Sequence, residues 1–127
     1  MKKIILPLLF IPMVACAPKE YVYKGVHDGV EVSYRWSHPA EKPSELLLKL
    51  VNTTPGDKRL DLVLDLYFQG RTVETFEADT CIRDGQTMNG KVSGIYFVPQ
   101  RLTTEQIKSG DGKVEMTRST IEGAVCP

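Results

Sequence analysis

The chain has 127 residues, of which 42% are hydrophobic and 25% charged, and its 16 basic side chains balance 16 acidic ones. This composition excludes an intrinsically disordered chain, a collagen-like repeat and a coiled coil, and the length suits a single domain. Because the formal net charge is zero, the sequence has no basic field for phosphates, and we expect no nucleic acid partner.

The first sixteen residues have the features of an export signal that ends in a cysteine. The first three residues include two lysines and are positively charged. The uncharged run over residues 4–14 that follows them is too short to span a bilayer. The run closes on Met13-Val14-Ala15-Cys16, and this segment resembles the lipobox of bacterial lipoproteins, where a cysteine becomes the lipidated first residue after cleavage. The alternative is a plain secretory signal peptide whose cysteine is incidental.

The lipobox resemblance implies a location for the protein. Residues 1–15 would be removed as the signal peptide, Cys16 would carry a diacylglyceryl group and an acyl chain such as palmitate, and residues 16–20 would be a short lipidated tether. Ala17 after the cysteine resembles a signal for outer-membrane sorting. We therefore expect a lipid-anchored protein of the bacterial cell envelope, at the outer membrane.

Seven strands are predicted over residues 21–127, from alternating apolar and polar side chains with turn signals between them. The clearest alternation runs from Val30 to Trp36. Gly94, inside the sixth predicted strand, indicates a bulge or a close backbone approach there. The predicted strands are 21–26, 30–36, 45–51, 59–69, 72–78, 91–99 and 113–120.

Residues 59–69 fit two periodicities. Leucine at every second position from Leu60 to Leu66 fits a strand, but apolar residues in this segment also recur at helical spacing. Glycine-containing turn signals at both ends and strand-like neighbours favour a strand.

The chain has three cysteines, and we assign them to two different roles. With Cys16 assigned to lipid, Cys81 and Cys126 remain as an even pair, and in an oxidising envelope the sequence predicts a disulfide between them. The alternative, a reactive thiol or a metal ligand, lacks a C-x-x-C motif and a histidine near either cysteine.

These elements predict an all-β fold, an antiparallel two-sheet sandwich with one short helical turn at 103–106, where the spacing is that of a capping box. Leu50-Val51-Asn52-Thr53-Thr54, the segment 60–68 and Ile82-Arg83-Asp84-Gly85-Gln86-Thr87 resemble small immunoglobulin-like domains of bacterial envelope lipoproteins. The resemblance covers residues 45–98 and implies an immunoglobulin-like sandwich.

The sequence has no arrangement typical of catalysis. Asp61 and Asp65 lie four strand residues apart, about 13 Å, which is too far to share a proton or a metal ion. His27 and His38 are expected to be exposed polar residues, and the residues before Ser93 lack the glycine of a nucleophile elbow. We therefore expect no enzyme, no cofactor and no metal.

The outer face of residues 59–69 is the candidate binding surface. If the leucines face the core, Asp61, Val63, Asp65 and Tyr67 point outward, and we expect them to form a partner face. The predicted function is a non-catalytic binding or assembly accessory on a membrane, with an envelope protein as partner.

The alternative function belongs to a different class. A small-molecule or glycan binder, with or without catalysis, would collect Asp79, Asp84 and Tyr96 around a pocket at the loop end of the sandwich. A concave pocket lined by aromatic rings and carboxylates would favour this alternative over a binding accessory.

Overall fold

The computed structural model describes residues 21–127. These residues form two antiparallel sheets, and buried and more exposed side chains alternate along their strands. Strands account for 58% of them and helices for 8%, so the predicted all-β, two-sheet sandwich is confirmed. The predicted signal peptide, the lipidated Cys16 and the tether lie outside the described residues.

Eight strands and two short helices make up the described part of the chain. In chain order they are β1 (Val22–His27), β2 (Val30–Ser37), β3 (Glu45–Asn52), β4 (Lys58–Phe68), β5 (Arg71–Ile82), β6 (Thr87–Asn89), α1 (Gly90–Ser93), β7 (Tyr96–Phe97), α2 (Thr104–Lys108) and β8 (Gly112–Gly123).

The strands divide into two sheets, here called sheet A and sheet B. Sheet A has the order β1-β2-β3-β6, and β7 also pairs with β3; sheet B has the order β5-β4-β8. Lys24 of β1 pairs with Glu115 of β8 at 3.3 Å, and Phe76 of β5 stacks on Phe97 of β7 with ring centroids 4.8 Å apart. These contacts join the two sheets along both sides of the sandwich.

The core between the sheets consists mainly of leucine. Every second residue of β4 from Leu60 to Leu66 is fully buried, so the strand prediction for residues 59–69 is confirmed. Each buried leucine contributes roughly 1.5–3 kcal/mol relative to an exposed one. The residues of sheet A that share this core cluster include Val30, Val32, Leu46, Leu48 and Leu50.

The strand prediction over 91–99 is correct only for residues 96 and 97. Residues 90–93 form α1, and only Tyr96 and Phe97 are extended as β7. Gly94, with φ of 74°, ends α1 in the left-handed conformation that glycine adopts without steric cost, so the predicted bulge is a helix cap. The Ile95 N–H donates to the Gly90 carbonyl at 2.9 Å and closes this turn.

The second short helix, α2, lies where the sequence predicts a helical turn. Its N-cap Thr103 accepts a hydrogen bond from the Gln106 N–H at 3.1 Å, and the Gln106 side chain accepts one from the Thr103 N–H at 2.8 Å. This reciprocal pair is the predicted capping box. Ile107 of α2 is buried in the core, which attaches the helix to the sandwich.

Candidate functional site

The four residues of the predicted partner face lie in one line along β4. Asp61, Val63, Asp65 and Tyr67 alternate with the buried leucines, and all four are half-buried on the side of sheet B that faces away from the core. They are half-buried rather than exposed because β4 is central, with β5 and β8 on either side. The structure therefore brings the four residues together on one surface.

Neighbouring strands add charged side chains to both sides of this line. Arg118 of β8 pairs with Asp61 at 3.2 Å and also lies 3.7 Å from Glu77 of β5. Farther along β5, the Thr75 hydroxyl donates to the Asp65 carboxylate at 2.8 Å. Exposed contacts of this kind add little to folding stability, so these side chains remain available to a partner.

Acidic groups outnumber basic ones on this surface. Among the described residues, the register places three basic and six acidic side chains on the outer face of sheet B, a formal charge of −3. We call this surface the acidic face. Its charged side chains are Arg59, Asp61, Asp65, Glu77, Asp79, Lys113, Glu115, Arg118 and Glu122.

Two carboxyl groups of the acidic face interact directly. A hydrogen bond and the negative charge of Asp61 raise the pKa of Glu77, and the positive charge of Arg118 only partly offsets this. Asp61 Oδ1 is buried and has no hydrogen-bond partner among the described residues. Because a proton on Glu77 supplies a hydrogen-bond donor to the Asp61 carboxylate, Glu77 holds its proton to a higher pH than an isolated glutamate does.

The predicted disulfide is present. Cys81, near the end of β5, is bonded to Cys126, which follows β8, with a Cα–Cα distance of 5.6 Å. Asp57 holds the same region because its carboxylate accepts hydrogen bonds from the backbone N–H groups of Cys126 and Asp84, both at 2.9 Å. These bonds lower the pKa of Asp57. The chain end after β8 is therefore fixed to the middle of the chain by covalent and polar contacts.

The structure separates the three residues of the predicted ligand pocket. Asp79 lies on β5, in the acidic face, and lines a cleft of about 310 Å³ between β5 and the segment 93–97. Asp84 and Tyr96 do not line this cleft. Tyr96 lies on the outer side of sheet A, because it pairs with Leu47. The three residues therefore do not form one site.

The two histidines are half-buried rather than exposed, so that expectation is wrong. His27 Nε2 lies 3.2 Å from the Lys24 carbonyl. His38 Nδ1 lies 2.8 Å from the hydroxyl of buried Ser44, whose oxygen is also 2.8 Å from that of Thr104. His38 and Thr104 line a cleft of about 450 Å³ beside α2. No pattern in the sequence predicts this contact, because 60 residues separate Ser44 from Thr104.

Within residues 21–127, no three His, Cys, Asp or Glu side chains are grouped so that they would hold a metal ion. Neither short helix in this range is long and apolar enough to cross a bilayer. Comparison with known proteins finds no protein-family model, no curated protein and no solved structure that matches the chain.

Proposed function

We propose that the protein is a lipid-anchored lipoprotein of the bacterial cell envelope, at the outer membrane, and that its sandwich binds an envelope protein. It acts as a non-catalytic accessory or assembly factor. The observation that carries the proposal is the line of Asp61, Val63, Asp65 and Tyr67 along the centre of the acidic face.

Two features support the location. The segment Met13-Val14-Ala15-Cys16 resembles a lipobox, and lipidation of Cys16 would hold the domain on a membrane. The disulfide between Cys81 and Cys126 fits the same location because such bonds persist in oxidising compartments such as the bacterial periplasm.

The composition of the acidic face supports a protein partner. Tyr67 offers an aromatic anchor of the kind that is enriched in interfaces, and Val63 adds apolar area beside it. The acidic surplus selects a partner surface of opposite charge, because complementary charges steer association and exclude wrong partners. The partner is therefore a protein with a basic, partly apolar patch.

The test is photo-crosslinking of the full-length protein in living cells. A photoreactive amino acid replaces Val63 in one strain and Glu105, an exposed residue of α2, in a matched control. We expect one abundant envelope protein to be captured from position 63 and not from position 105. Equal capture from both positions, or none from position 63, would contradict the proposal.

Substitutions on the same face give the second arm of the test. Asp65→Arg reverses a charge on the acidic face and Tyr67→Ala removes its ring, whereas Glu105→Arg reverses a charge elsewhere. We expect the first two to weaken capture by about tenfold, which corresponds to 1.4 kcal/mol. The control variant should capture the partner as the unchanged protein does.

A further inference from the structure

Exposed apolar side chains concentrate in the elements of sheet A and in α1 beside it. Six large hydrophobic residues of the described chain are exposed, and five of them lie on β1, α1 or β7, all of which belong to sheet A or contact it. The sixth, Val125, follows β8. The five are Val22, Tyr23, Val26, Val92 and Tyr96.

The strand register places Tyr23 and Tyr96 on the outer side of sheet A, and a contact with Arg35 places Tyr21 there as well. Tyr96 pairs with Leu47, which in turn pairs with Arg35, and the Arg35 guanidinium lies over the Tyr21 ring at 5.5 Å. Tyr23 pairs with Ser33, two residues from Arg35 and therefore on the same side. We call this surface, formed by Tyr21, Tyr23, Val26, Arg35, Lys49 and Tyr96 with α1 against its edge, the tyrosine face.

Basic groups accompany the aromatic rings of the tyrosine face. The Lys49 ammonium lies 5.2 Å from the centre of the Tyr21 ring, and the Lys91 ammonium lies 5.4 Å from that of Tyr96. Contacts at these distances are cation–π interactions, and they keep the rings and the charges in one layer. A layer that combines tyrosine with lysine or arginine is typical of protein surfaces at a membrane–water interface.

The two outer faces of the sandwich differ in the sign of their charge. The tyrosine face and α1 carry three basic side chains, Arg35, Lys49 and Lys91, against two acidic ones, Glu31 and Glu45, a formal charge of +1 among the described residues. Glu45 is neutralised by Lys91 at 2.8 Å. The acidic face on the opposite side carries −3, or −2 when Lys24 of β1, which pairs with Glu115, is included. An anionic surface would therefore attract the tyrosine face and repel the acidic face.

The predicted anchor point lies next to the tyrosine face along the chain. Cys16 precedes Tyr21 by five residues, and five extended residues reach at most about 18 Å. Tyr21 itself is part of the tyrosine face, through its contacts with Arg35 and Lys49. A lipid at Cys16 would hold this face within a short distance of the bilayer.

We propose that the tyrosine face lies on the membrane and binds anionic phospholipid headgroups, with its rings at the level of the headgroups. The inference rests on the proposed lipid anchor at Cys16 and extends it by assigning an orientation. Because the acidic face is on the other side of the sandwich, it points away from the bilayer towards a partner. The occupant of the tyrosine face is thus lipid, and the occupant of the acidic face is protein.

The experiment uses the full-length lipoprotein in two kinds of vesicle, one of phosphatidylcholine alone and one that also contains phosphatidylglycerol. Photoactivatable lipid in each vesicle is crosslinked to the protein, and the modified peptides are mapped by mass spectrometry. We expect lipid adducts on peptides of β1 and of the segment 90–97, with more adducts when phosphatidylglycerol is present. Adducts spread evenly over both faces, or concentrated on β4 and β8, would overturn the orientation.

Matched charge removals give the quantitative test. Arg35→Gln with Lys49→Gln removes two positive charges from the tyrosine face, and Arg59→Gln with Arg118→Gln removes two from the acidic face. We expect the first pair to lower adduct yield on phosphatidylglycerol vesicles by about fivefold per charge, and the second pair to leave it unchanged. Equal loss in both pairs would overturn the proposal.

A further variant leaves the half-buried basic side chains Arg35 and Lys49 unchanged. Tyr23 is 58% exposed, so Tyr23→Ser changes the face with little effect on the fold, and we expect it to reduce the adducts on β1. Unchanged adducts would overturn the assignment of the ring to the headgroup layer. The intact mass of the protein separates this failure from failure of the anchor: a lipid mass on Cys16 without a preference for the tyrosine face overturns the orientation alone.

Discussion

Asn52 is a buried polar residue whose amide connects two turns. With 1% of its surface exposed, it donates to the carbonyls of Gly56 and Arg83 at 2.9 and 3.1 Å. Its oxygen accepts from the N–H and the hydroxyl of Thr54 at 3.0 and 2.7 Å. The sequence shows Asn52 only as part of a turn-rich segment, because its partner Arg83 is 31 residues away.

Asn52→Ala is therefore expected to destabilise the fold strongly. It removes both donors and the acceptor and leaves their backbone partners unsatisfied, at a cost of about 3 kcal/mol. Urea unfolding followed by circular dichroism measures this change in the free energy of unfolding. The matched control is Asn89→Ala, since Asn89 is exposed and makes no side-chain hydrogen bond to α1, and its cost should stay within about 0.5 kcal/mol. Equal costs for the two variants would contradict this role of Asn52.

Asp57 gives a prediction that depends on pH. Hydrogen bonds from the Cys126 and Asp84 N–H groups lower its folded-state pKa, so the ionised form stabilises the fold. This contribution is complete above the ordinary aspartate pKa of about 3.9 and is lost as the pH falls through the lowered pKa. Asp57→Asn should thus reduce the urea midpoint at neutral pH and have progressively less effect as the pH falls below the ordinary value. An equal reduction of the urea midpoint at neutral pH and at a pH below the ordinary aspartate pKa would contradict the prediction.

At the scale of elements, alternation predicted the strands well and failed where local contacts decided the backbone. The leucines of β4 show a two-residue period, and the ends of β2 and β3 follow turn signals, so these strands were predictable. Residues 90–93 contain one apolar side chain, Val92, but the Ser93 hydroxyl accepts a hydrogen bond from the Asn89 N–H at 2.9 Å and closes a helical turn. Such a contact does not produce a periodic pattern of apolar residues, so the sequence does not indicate it.

The two candidate surfaces also differ in how far they can be predicted from the sequence. The line of Asp61, Val63, Asp65 and Tyr67 follows from the period of one strand, and so could be predicted from the sequence. The tyrosine face combines β1, β2, β3 and β7, and its assembly depends on which strands pair. Strand order is set by contacts between distant segments, which a single sequence does not display.

The disulfide fixes the end of β8 to β5, and its removal is expected to weaken this connection. The two cysteines are 45 residues apart, and closing a loop of that length stabilises a fold by about 4 kcal/mol in the chain-entropy model. Cys81→Ala with Cys126→Ala should lower the free energy of unfolding by about that amount, measured by urea unfolding without reductant. The unchanged protein in excess reductant is the control and should lose a similar amount; no loss in either case would contradict the prediction.

At the scale of the whole molecule, the sandwich separates two kinds of surface. The tyrosine face combines exposed rings with a positive charge, whereas the acidic face has a negative charge and the side chains of a central strand. Two packed sheets lie about 10 Å apart, so the faces are close in space but cannot contact the same flat surface. A domain with this arrangement can remain on a membrane and present a second surface to a protein.

The proposed lipid anchor at Cys16 would determine whether this arrangement operates in the cell. Cys16→Ser removes the sulfur that would form the lipid thioether, so we expect the full-length variant to lose incorporation of labelled palmitate. Cys81→Ala with Cys126→Ala is the matched control because it also removes cysteine sulfur, and it should retain the label. Capture of the partner from position 63 should fall in the Cys16→Ser strain, since the anchor raises the effective concentration of the domain near other membrane components. Retained label in Cys16→Ser would contradict the anchor, whereas lost label with unchanged capture would show that the acidic face finds its partner without the membrane.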